Sequence, residues 1–150
     1  MRRFTSVDEV RAAVGEHLGQ SDWHEITQHQ IDLFAEATGD HQWIHVDAAR
    51  AQAGPFGATV AHGYLTLSLL PHLVGQVYTV DGTSMAVNYG SNKVRFPAPV
   101  PVGSRVRAGV ELVSVEASGN GHQLVTRVTV EREGADKPVC VAETVSLLVP

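Results

Sequence analysis

The longest strongly apolar stretch of the sequence runs from Tyr64 to Val80 and reads YLTLSLLPHLVGQVYTV. Its leucines and valines cover every azimuth of a helix, so other structure must surround this segment on nearly all sides. Pro71 removes a backbone hydrogen bond and bends a helix, which predicts a regular helix shorter than the apolar run. Thr66, Ser68 and other polar residues interrupt the stretch and argue against a membrane span. We therefore expect a buried central helix.

Downstream of this stretch the hydrophobic period changes to the alternation typical of β-strands. Apolar and polar residues alternate over 105–112, 124–131 and 139–147, and the turn sequence Ser-Gly-Asn-Gly at 118–121 predicts a hairpin between the first two of these strands. Two shorter strands are expected at Met85–Tyr89 and Lys93–Phe96, with a turn around Gly90 between them. The second half of the chain thus predicts an antiparallel sheet of about five strands.

Upstream of the apolar stretch, two capping boxes mark the starts of two helices. The box at 6–9 opens a short amphipathic helix that ends near 15–19, and the box at 27–30 opens a second helix that stops at Gly39. The apolar stripe of the first helix consists of Val7, Val10, Val14 and Leu18. Asp40 therefore follows directly after the C-terminus of the second helix.

A nearly all-apolar helix followed by an antiparallel sheet packs most simply when the sheet curves around the helix. The predicted fold class is α+β, a hot-dog fold in which a curved antiparallel sheet wraps around a long central helix. The length of 150 residues suits one domain over 1–150. The edge strands of such a sheet expose unpaired backbone groups, so we expect a homodimer that pairs through its sheet edges.

Composition excludes several classes of function. Eleven Lys and Arg stand against sixteen Asp and Glu, for a net charge of −5, which leaves no basic field for nucleic acid. No apolar leader or cleavage site follows Arg2 and Arg3, so no secretory signal is indicated and a cytoplasmic location is expected, with no membrane association. The single cysteine, Cys140, lies between two valines and is interpreted as a buried structural residue.

A carboxylate and an imidazole, Asp40 and His45, lie five residues apart in the sequence. On a continuous helix they would point about 140° apart, so they meet only if the chain turns between them, which Gly39 permits. Held together, they can orient a water, take its proton and return a proton, as addition of water to a double bond requires. Because a helix C-terminus disfavours a carboxylate and favours a protonated imidazole, we expect both groups to be stronger bases than in water. From the spacing alone, a helix C-cap and an ordinary histidine are an open alternative.

The sequence around this pair resembles a known family. Residues 39–45 read Gly-Asp-His-Gln-Trp-Ile-His, and residues 60–63 read Val-Ala-His-Gly. This pattern is similar to that of the (R)-specific enoyl-CoA hydratase or MaoC-like dehydratase family, whose motif runs Gly-Asp-x-Asn-Pro-x-His, followed downstream by His-Gly at the start of the hot-dog helix. The similarity continues through Val-Arg-Phe-Pro-Ala-Pro-Val at 94–100 and Pro-Val-Gly-Ser at 101–104, and it covers residues 20–150.

The resemblance implies a hydratase that adds water reversibly, in syn fashion, to a trans-2-enoyl-CoA and gives the (R)-3-hydroxyacyl-CoA. Asp40 and His45 would activate the water, and the backbone N–H of Gly63 would hold the thioester oxygen. A free N–H at a helix N-terminus suits an oxygen that becomes negative, whereas a glycine needed only for close packing is the alternative. Water and the thioester suffice for this chemistry, so no cofactor is expected besides the coenzyme A of the substrate.

The family motif is not reproduced completely, because Gln42 stands where the family has Asn and Trp43 where it has Pro. Gln42 keeps the amide with one more methylene, so it stays a candidate for holding the substrate or the Asp40 loop. Trp43 is expected in the core or beside the acyl pocket, which leaves the acyl chain length open.

Other polar residues are weaker candidates. His41 and His45 are four residues apart, but the loop is not expected to be helical there and no third ligand is indicated, so no metal site is expected. His62 is a candidate substrate contact, although a structural role at the start of the central helix is favoured. Asn88 and Asn92 flank Gly90, where either a turn or the lining of a pocket explains them.

The sequence leaves open which residues would bind coenzyme A and which of three functions the fold carries. Four basic side chains are candidates for the phosphates of coenzyme A, although each is equally well explained as a solvated strand charge. They are Lys93, Arg95, Arg105 and Arg107. Two other functions fit the same fold: a thioesterase, which would release free thiol, and a non-catalytic protein that binds acyl thioesters.

Overall fold

A computed structural model describes residues 1–150 of the chain. Its helices are α1 (Val7–Ala12), α2 (Gln28–Thr38), α3 (Trp43–Val46), α4 (Ala48–Gln52), α5 (Gly63–Ser68) and α6 (Leu70–Val74). Its strands are β1 (Arg2–Phe4), β2 (His17–Gln20), β3 (His24–Glu25), β4 (Tyr78–Val80), β5 (Met85–Arg95), β6 (Arg105–Ser118), β7 (Gly121–Arg132) and β8 (Cys140–Val149). None of the helices combines the length and the apolar character that crossing a bilayer demands.

The main sheet is antiparallel, with the strand order β2-β6-β7-β8-β5, and β3 also pairs with β6. Strands β6 and β7 form the predicted hairpin, in which Ser118 pairs with Gly121. The prediction of two short strands separated by a turn at Gly90 was wrong. Gly90 pairs with Val145 inside one continuous strand, β5, and the chain absorbs its turn-forming residues as two irregularities in register.

The apolar stretch forms a shorter helical unit than its length suggests, as the position of Pro71 predicted. Helix α5 ends at Ser68 and α6 begins at Leu70, where proline near the N-terminus needs no N–H partner. The helix then ends at Val74. Residues 78–80, also part of the apolar run, form β4, which pairs in parallel with β1 at the N-terminus of the chain.

The first predicted helix is also too long, whereas the second is confirmed. Helix α1 ends at Ala12, because Gly15 takes a φ of 89° and donates its N–H to Leu112 O at 2.8 Å, which leads the chain into the sheet. Leu18 therefore lies in β2 and not on a helical stripe. In α2, Thr27 accepts the cap bond from the N–H of Gln30 at 3.2 Å.

The core lies between the concave face of the sheet and α5 and α6, which confirms the α+β hot-dog arrangement. The largest buried cluster combines residues of α2, α5, α6 and strands β6, β7 and β8. Its members are Ile26, Ile31, Ala61, Leu65, Leu70, Leu73, Val100, Val106, Ala108, Val128, Val130, Val139, Cys140 and Ala142. Cys140 is fully buried, as predicted, and burial raises the pKa of its thiol to about 11.

Candidate active site

The chain turns sharply between the end of α2 and the single helical turn of α3. Gly39 caps α2 in the left-handed region, with φ of 79°, and its N–H donates to Ala35 O at 2.8 Å. The Asp40 carboxylate then accepts the N–H of Gln42 at 3.3 Å, and the N–H of His45 donates to Gln42 O at 2.9 Å. The turn that brings Asp40 and His45 together thus involves α3 as well as Gly39. The loop is helical at His45, contrary to the sequence-based expectation.

His45 is buried, with 6% of its surface exposed, and its ring is held from one side. Its Nδ1 lies 2.6 Å from the carbonyl oxygen of Val60, and since a carbonyl only accepts, Nδ1 carries the proton. Its own carbonyl accepts a bond from Gln28 Nε2 at 2.8 Å, and Gln28 Oε1 accepts the hydroxyl of Thr59 at 2.6 Å. These bonds leave Nε2 of His45 with a free lone pair.

Gln28 was not predicted as a site residue from the sequence. The glutamine opens α2 and reaches His45 across 17 positions, a contact that no local motif encodes. Its amide joins two separate segments of the loop region, because it binds both the His45 carbonyl and the buried hydroxyl of Thr59. Gln28 therefore belongs among the residues that hold His45 in place.

Burial lowers the pKa of His45 below its ordinary value of 6.5, and the neighbouring imidazole of His62 adds to this lowering. The bond to Val60 and the nearby Asp40 carboxylate oppose this shift but do not reverse it. The expectation of a more basic imidazole was therefore wrong for His45. A helix dipole acts weakly across solvent, whereas a buried ring loses hydration of its charged form. His45 is a neutral imidazole at neutral pH.

Three side chains converge at this point, and the third, His62, was a candidate substrate contact from the sequence. The ligand atoms of Asp40, His45 and His62 all lie within 4.8 Å of one another. The ring of His62 stacks on that of His45, with centroids 3.8 Å apart, and its Nε2 donates to Asp40 O at 2.9 Å. A carboxylate and two imidazoles are donors that metal ions use. His41, considered from the sequence as a metal partner of His45, is exposed and is not one of the three.

Gly63 is the first residue of α5, and its N–H donates to no acceptor within the protein. A Cβ added at Gly63 would lie 3.0 Å from the ring of Phe96. Both sequence interpretations of this glycine therefore find support, since it offers a free N–H and also allows close packing. Helix α5 has only six residues, so the individual N–H group matters more here than a long helix dipole.

The residues that depart from the family motif occupy the outer side of the loop. Gln42 is exposed, and its side chain forms no cap bond to α3. Trp43 is half-buried, packs close to Gly54, and carries the guanidinium of Arg50 over its ring at 4.3 Å. Trp43 therefore anchors the loop to α4.

An open cleft of about 800 Å³ lies between helices α5–α6 and strands β5, β7 and β8. Leu67, one helical turn after Gly63, and Val74 of α6 line it, whereas Asp40, His45, His62 and Gly63 do not. Of the two asparagines considered from the sequence, Asn88 lines the cleft. Asn92 donates to Glu143 at 3.0 Å and is not part of the lining.

The four basic residues divide into two pairs. Arg105 forms an ion pair with Glu133 at 3.2 Å, and Arg107 pairs with Glu131 and packs over Trp23. The other two residues, Lys93 and Arg95, are exposed on β5 and form no salt bridge. They are the cations of this region that remain free to meet an anion.

The curved sheet around a short helical unit defines a hot-dog protein, with a carboxylate and a neutral imidazole facing each other beside the helix. The family described as MaoC like domain matches residues 9–134. The chain belongs to the MaoC-like dehydratase family.

Individual relatives agree with this assignment. The chain is 64% identical over 146 residues to 3-hydroxyacyl-thioester dehydratase Z of Mycobacterium tuberculosis, covering 97% of each chain. Its fold matches the (R)-hydratase from A. caviae with a TM-score of 0.71 at 26% identity, over 91% of this chain and 96% of that one. It also matches the fold of a monoamine oxidase regulatory protein from Archaeoglobus fulgius with a TM-score of 0.79 at 24% identity, over 98% and 95% of the two chains.

Proposed function

We propose that this protein is a hydro-lyase that interconverts trans-2-enoyl-CoA and (R)-3-hydroxyacyl-CoA by addition and removal of water. The observation that carries the proposal is the approach of the Asp40 carboxylate to the imidazole of His45, with ligand atoms within 4.8 Å. The similarity to a relative named 3-hydroxyacyl-thioester dehydratase Z supports the same reaction in the direction of dehydration.

Ligand atoms of the two side chains lie no more than 4.8 Å apart, a separation that one bridging water molecule can span. Two acceptors that each lie about 2.8 Å from one water, at about the tetrahedral angle, are about 4.6 Å apart. Asp40 and the free lone pair of His45 Nε2 would each accept one hydrogen of this water. Its oxygen lone pair is then directed at the substrate, and the neutral state of His45 allows proton transfer.

The reaction balances with the atoms of water and thioester alone. The water oxygen bonds to the β-carbon, the electron pair of the double bond moves toward the α-carbon and carbonyl oxygen, and the pair Asp40 and His45 takes one water proton. The same pair returns a proton to the α-carbon on the same face, which gives syn addition. The N–H of Gly63 would stabilise the negative charge on the thioester oxygen.

The cleft beside α5 and α6 supplies a place for the acyl chain. A thioester whose carbonyl lies at Gly63 would direct its acyl chain along α5 toward Leu67, which lines the cleft. The free cations Lys93 and Arg95 on β5 suit the phosphates of coenzyme A. We therefore assign coenzyme A as the carrier and the cleft as the acyl site.

We also propose that the protein is a homodimer that pairs along β5. This strand is the last of its sheet, so one of its edges has no partner strand. Met85, Val87 and Tyr89 expose apolar side chains on it, by 54%, 41% and 68%. A second copy related by two-fold symmetry would pair this edge with itself and cover the apolar side chains.

The test is an assay of the purified protein with trans-2-enoyl-CoA substrates of several chain lengths. Absorbance of the conjugated thioester and free thiol are followed in parallel, and the product is resolved on a chiral column. The expected result is loss of absorbance without thiol release and formation of the (R)-product. Release of thiol would establish a thioesterase instead, and silence in both channels at every chain length would leave a protein that binds acyl thioesters.

Variants link the activity to the pair. Asp40→Asn and His45→Gln should each lower kcat by roughly 10²- to 10⁴-fold, the usual contribution of a positioned acid or base. Glu36→Gln serves as the control, because it removes an exposed carboxylate from α2, the helix that precedes Asp40. The Glu36 carboxylate forms no ion pair. Equal activity of Asp40→Asn and Glu36→Gln would remove Asp40 from the mechanism.

A further inference from the structure

His62 lies beside the proposed catalytic pair and is almost fully buried, with 2% of its surface exposed. The hydration steps above do not use it. It precedes α5, but its side chain forms no capping bond to that helix. Its Nε2–H donates instead to the backbone carbonyl of Asp40 at 2.9 Å, which ties the start of α5 to the loop that carries the carboxylate.

The same imidazole also contacts the second member of the pair. Its ring lies against that of His45, with centroids 3.8 Å apart and planes inclined by 25°. Phe34 of α2 packs against His62 as well, with ring centroids 4.8 Å apart. One side chain thus holds the backbone of Asp40 and the ring plane of His45.

Packing alone does not explain a histidine at this position. With the proton on Nε2, the acceptor Nδ1 is buried without a hydrogen-bond partner, and so is the hydroxyl of Thr66 one helical turn further on. A buried polar atom without a partner lowers stability, whereas a phenylalanine would fill a similar space without that cost. The hydrogen bond from Nε2 is what an imidazole provides here and an apolar ring does not.

We propose that His62 is a positioning residue for the hydration reaction, which fixes the Asp40 carbonyl through Nε2–H and the plane of the His45 ring by stacking. This inference rests on the proposed function, because it assigns a task within the same site. Positioning matters strongly for a water held between two groups, since a displacement of about 1 Å costs about 10²-fold in rate.

Two amide variants separate the hydrogen bond from polarity. In His62→Gln the amide nitrogen occupies the position of Nε2, whereas in His62→Asn it occupies that of Nδ1 and does not reach Asp40. His62→Phe retains a stacked ring and removes the donor. We expect kcat to fall by about 10²-fold in the Asn and Phe variants, with KM within about threefold, and by less than about tenfold in the Gln variant.

A double mutant tests whether His62 acts through Asp40. In an Asp40→Asn background, the further change His62→Phe should lower kcat by less than about threefold, because it retains the stacked ring and removes only the bond to a residue that is already disabled. Full additivity of the two losses would overturn the proposal. So would a His62→Phe variant with wild-type kcat, or equal losses in the Gln and Asn variants.

A readout without turnover separates this inference from the proposed function. Amide hydrogen exchange of the loop over 40–45 should be faster in His62→Asn and His62→Phe than in the wild type and His62→Gln. Unchanged exchange in all three variants would contradict positioning even if the enzyme is a hydratase. If the wild type has no hydratase activity and exchange is still faster in His62→Asn and His62→Phe, the positioning role stands and the hydratase assignment is refuted.

Discussion

The loop that carries Asp40 and His45 and the strand β5 differ in how far the chain completes them. The ring and backbone of His45 bond to Val60, Gln28 and Gln42. Along β5, ten of the eleven residues are exposed and only Val94 is partly buried. One region is closed by its own contacts, whereas the other ends in solvent.

The difference between the two regions indicates which part of the chain determines the chemistry and which part determines assembly and substrate length. The geometry of the proposed catalytic pair rests on contacts of the loop, so we expect it to tolerate changes at the sheet edge. The cleft that we propose for the acyl chain is lined in part by β5, whose residues the rest of the chain leaves exposed. We therefore expect chemistry to respond to changes in the loop and α5, and assembly and substrate length to respond to changes at β5 and along the cleft.

The largest effect is expected at Gly63, on the closed side. Gly63→Pro and Gly63→Ala both add a Cβ against Phe96, but only proline removes the N–H. The backbone accepts proline there, since His62 has φ of −58° and ψ of 137°. We expect Gly63→Pro to lower kcat by roughly 10²- to 10³-fold more than Gly63→Ala, as loss of one oxyanion donor does. The measurement is kcat of both folded variants, and equal values would leave Gly63 a packing glycine.

The second prediction addresses the open side. The double variant Val87→Lys with Tyr89→Lys places charges on the apolar edge strand, and charged edges resist pairing. We expect the wild type to sediment as a dimer and this variant as a monomer at the same concentration. The control, Val87→Thr with Tyr89→Thr, retains residues that favour strands and should remain dimeric. A wild-type monomer would refute pairing through β5.

Much of the difference between the loop region and the sheet could be predicted from the sequence. The alternation of strands β6, β7 and β8 was predicted because two-residue periodicity is strong in long strands with one buried face. Strand β5 was divided into two because Asn88, Gly90 and Asn92 are turn-forming residues, whereas the sheet absorbs them as register shifts. Local propensity is a poor guide where pairing with a neighbouring strand decides the conformation.

The candidate site was predicted in part. Asp40, His45 and Gly63 were identified through a motif, and the structure places the first two side by side. The stacking of His62 and the bonds of Gln28 join residues 17 or more positions apart, which no local pattern encodes. The direction of the His45 pKa shift was missed for the same reason, since burial depends on tertiary packing that the sequence does not display.

The third prediction concerns the cleft, where the effect depends on the substrate. Val74 lines the cleft on α6, further along the helical unit than Leu67. Val74→Phe fills part of this space, so we expect kcat/KM for long enoyl-CoA substrates to fall by about tenfold or more. An added methylene in a pocket contributes about 1–3 kcal/mol, or about 10- to 200-fold, which accounts for the size of this loss. A four-carbon substrate should change by less than about twofold, because its chain is too short to reach Val74. Val74→Leu is the control, and a uniform loss at all chain lengths would place the acyl chain elsewhere.

The smallest effect is a shift of the acid limb of the pH profile of kcat/KM. It tests the closed region around His45 without altering the shape of that region. Because burial holds the pKa of His45 below 6.5, the imidazole stays neutral to lower pH in the folded protein than in the unfolded chain. A base with a pKa of 6.5 would be about one quarter neutral at about pH 6, so we expect kcat/KM there to exceed about a quarter of its plateau.

The lowered pKa of His45 also affects how the stability of the protein depends on pH. Below pH 6.5 the unfolded chain binds more protons than the folded state at His45, so the free energy of unfolding should decrease as pH falls from 6.5 toward the lower folded pKa. His45→Gln should remove this part of the decrease, which urea unfolding of both proteins at about pH 7.5 and about pH 5.5 measures. A ring that titrates at or above 6.5 in an NMR titration would mean that solvent reaches His45, and the closed region would then resemble the open one.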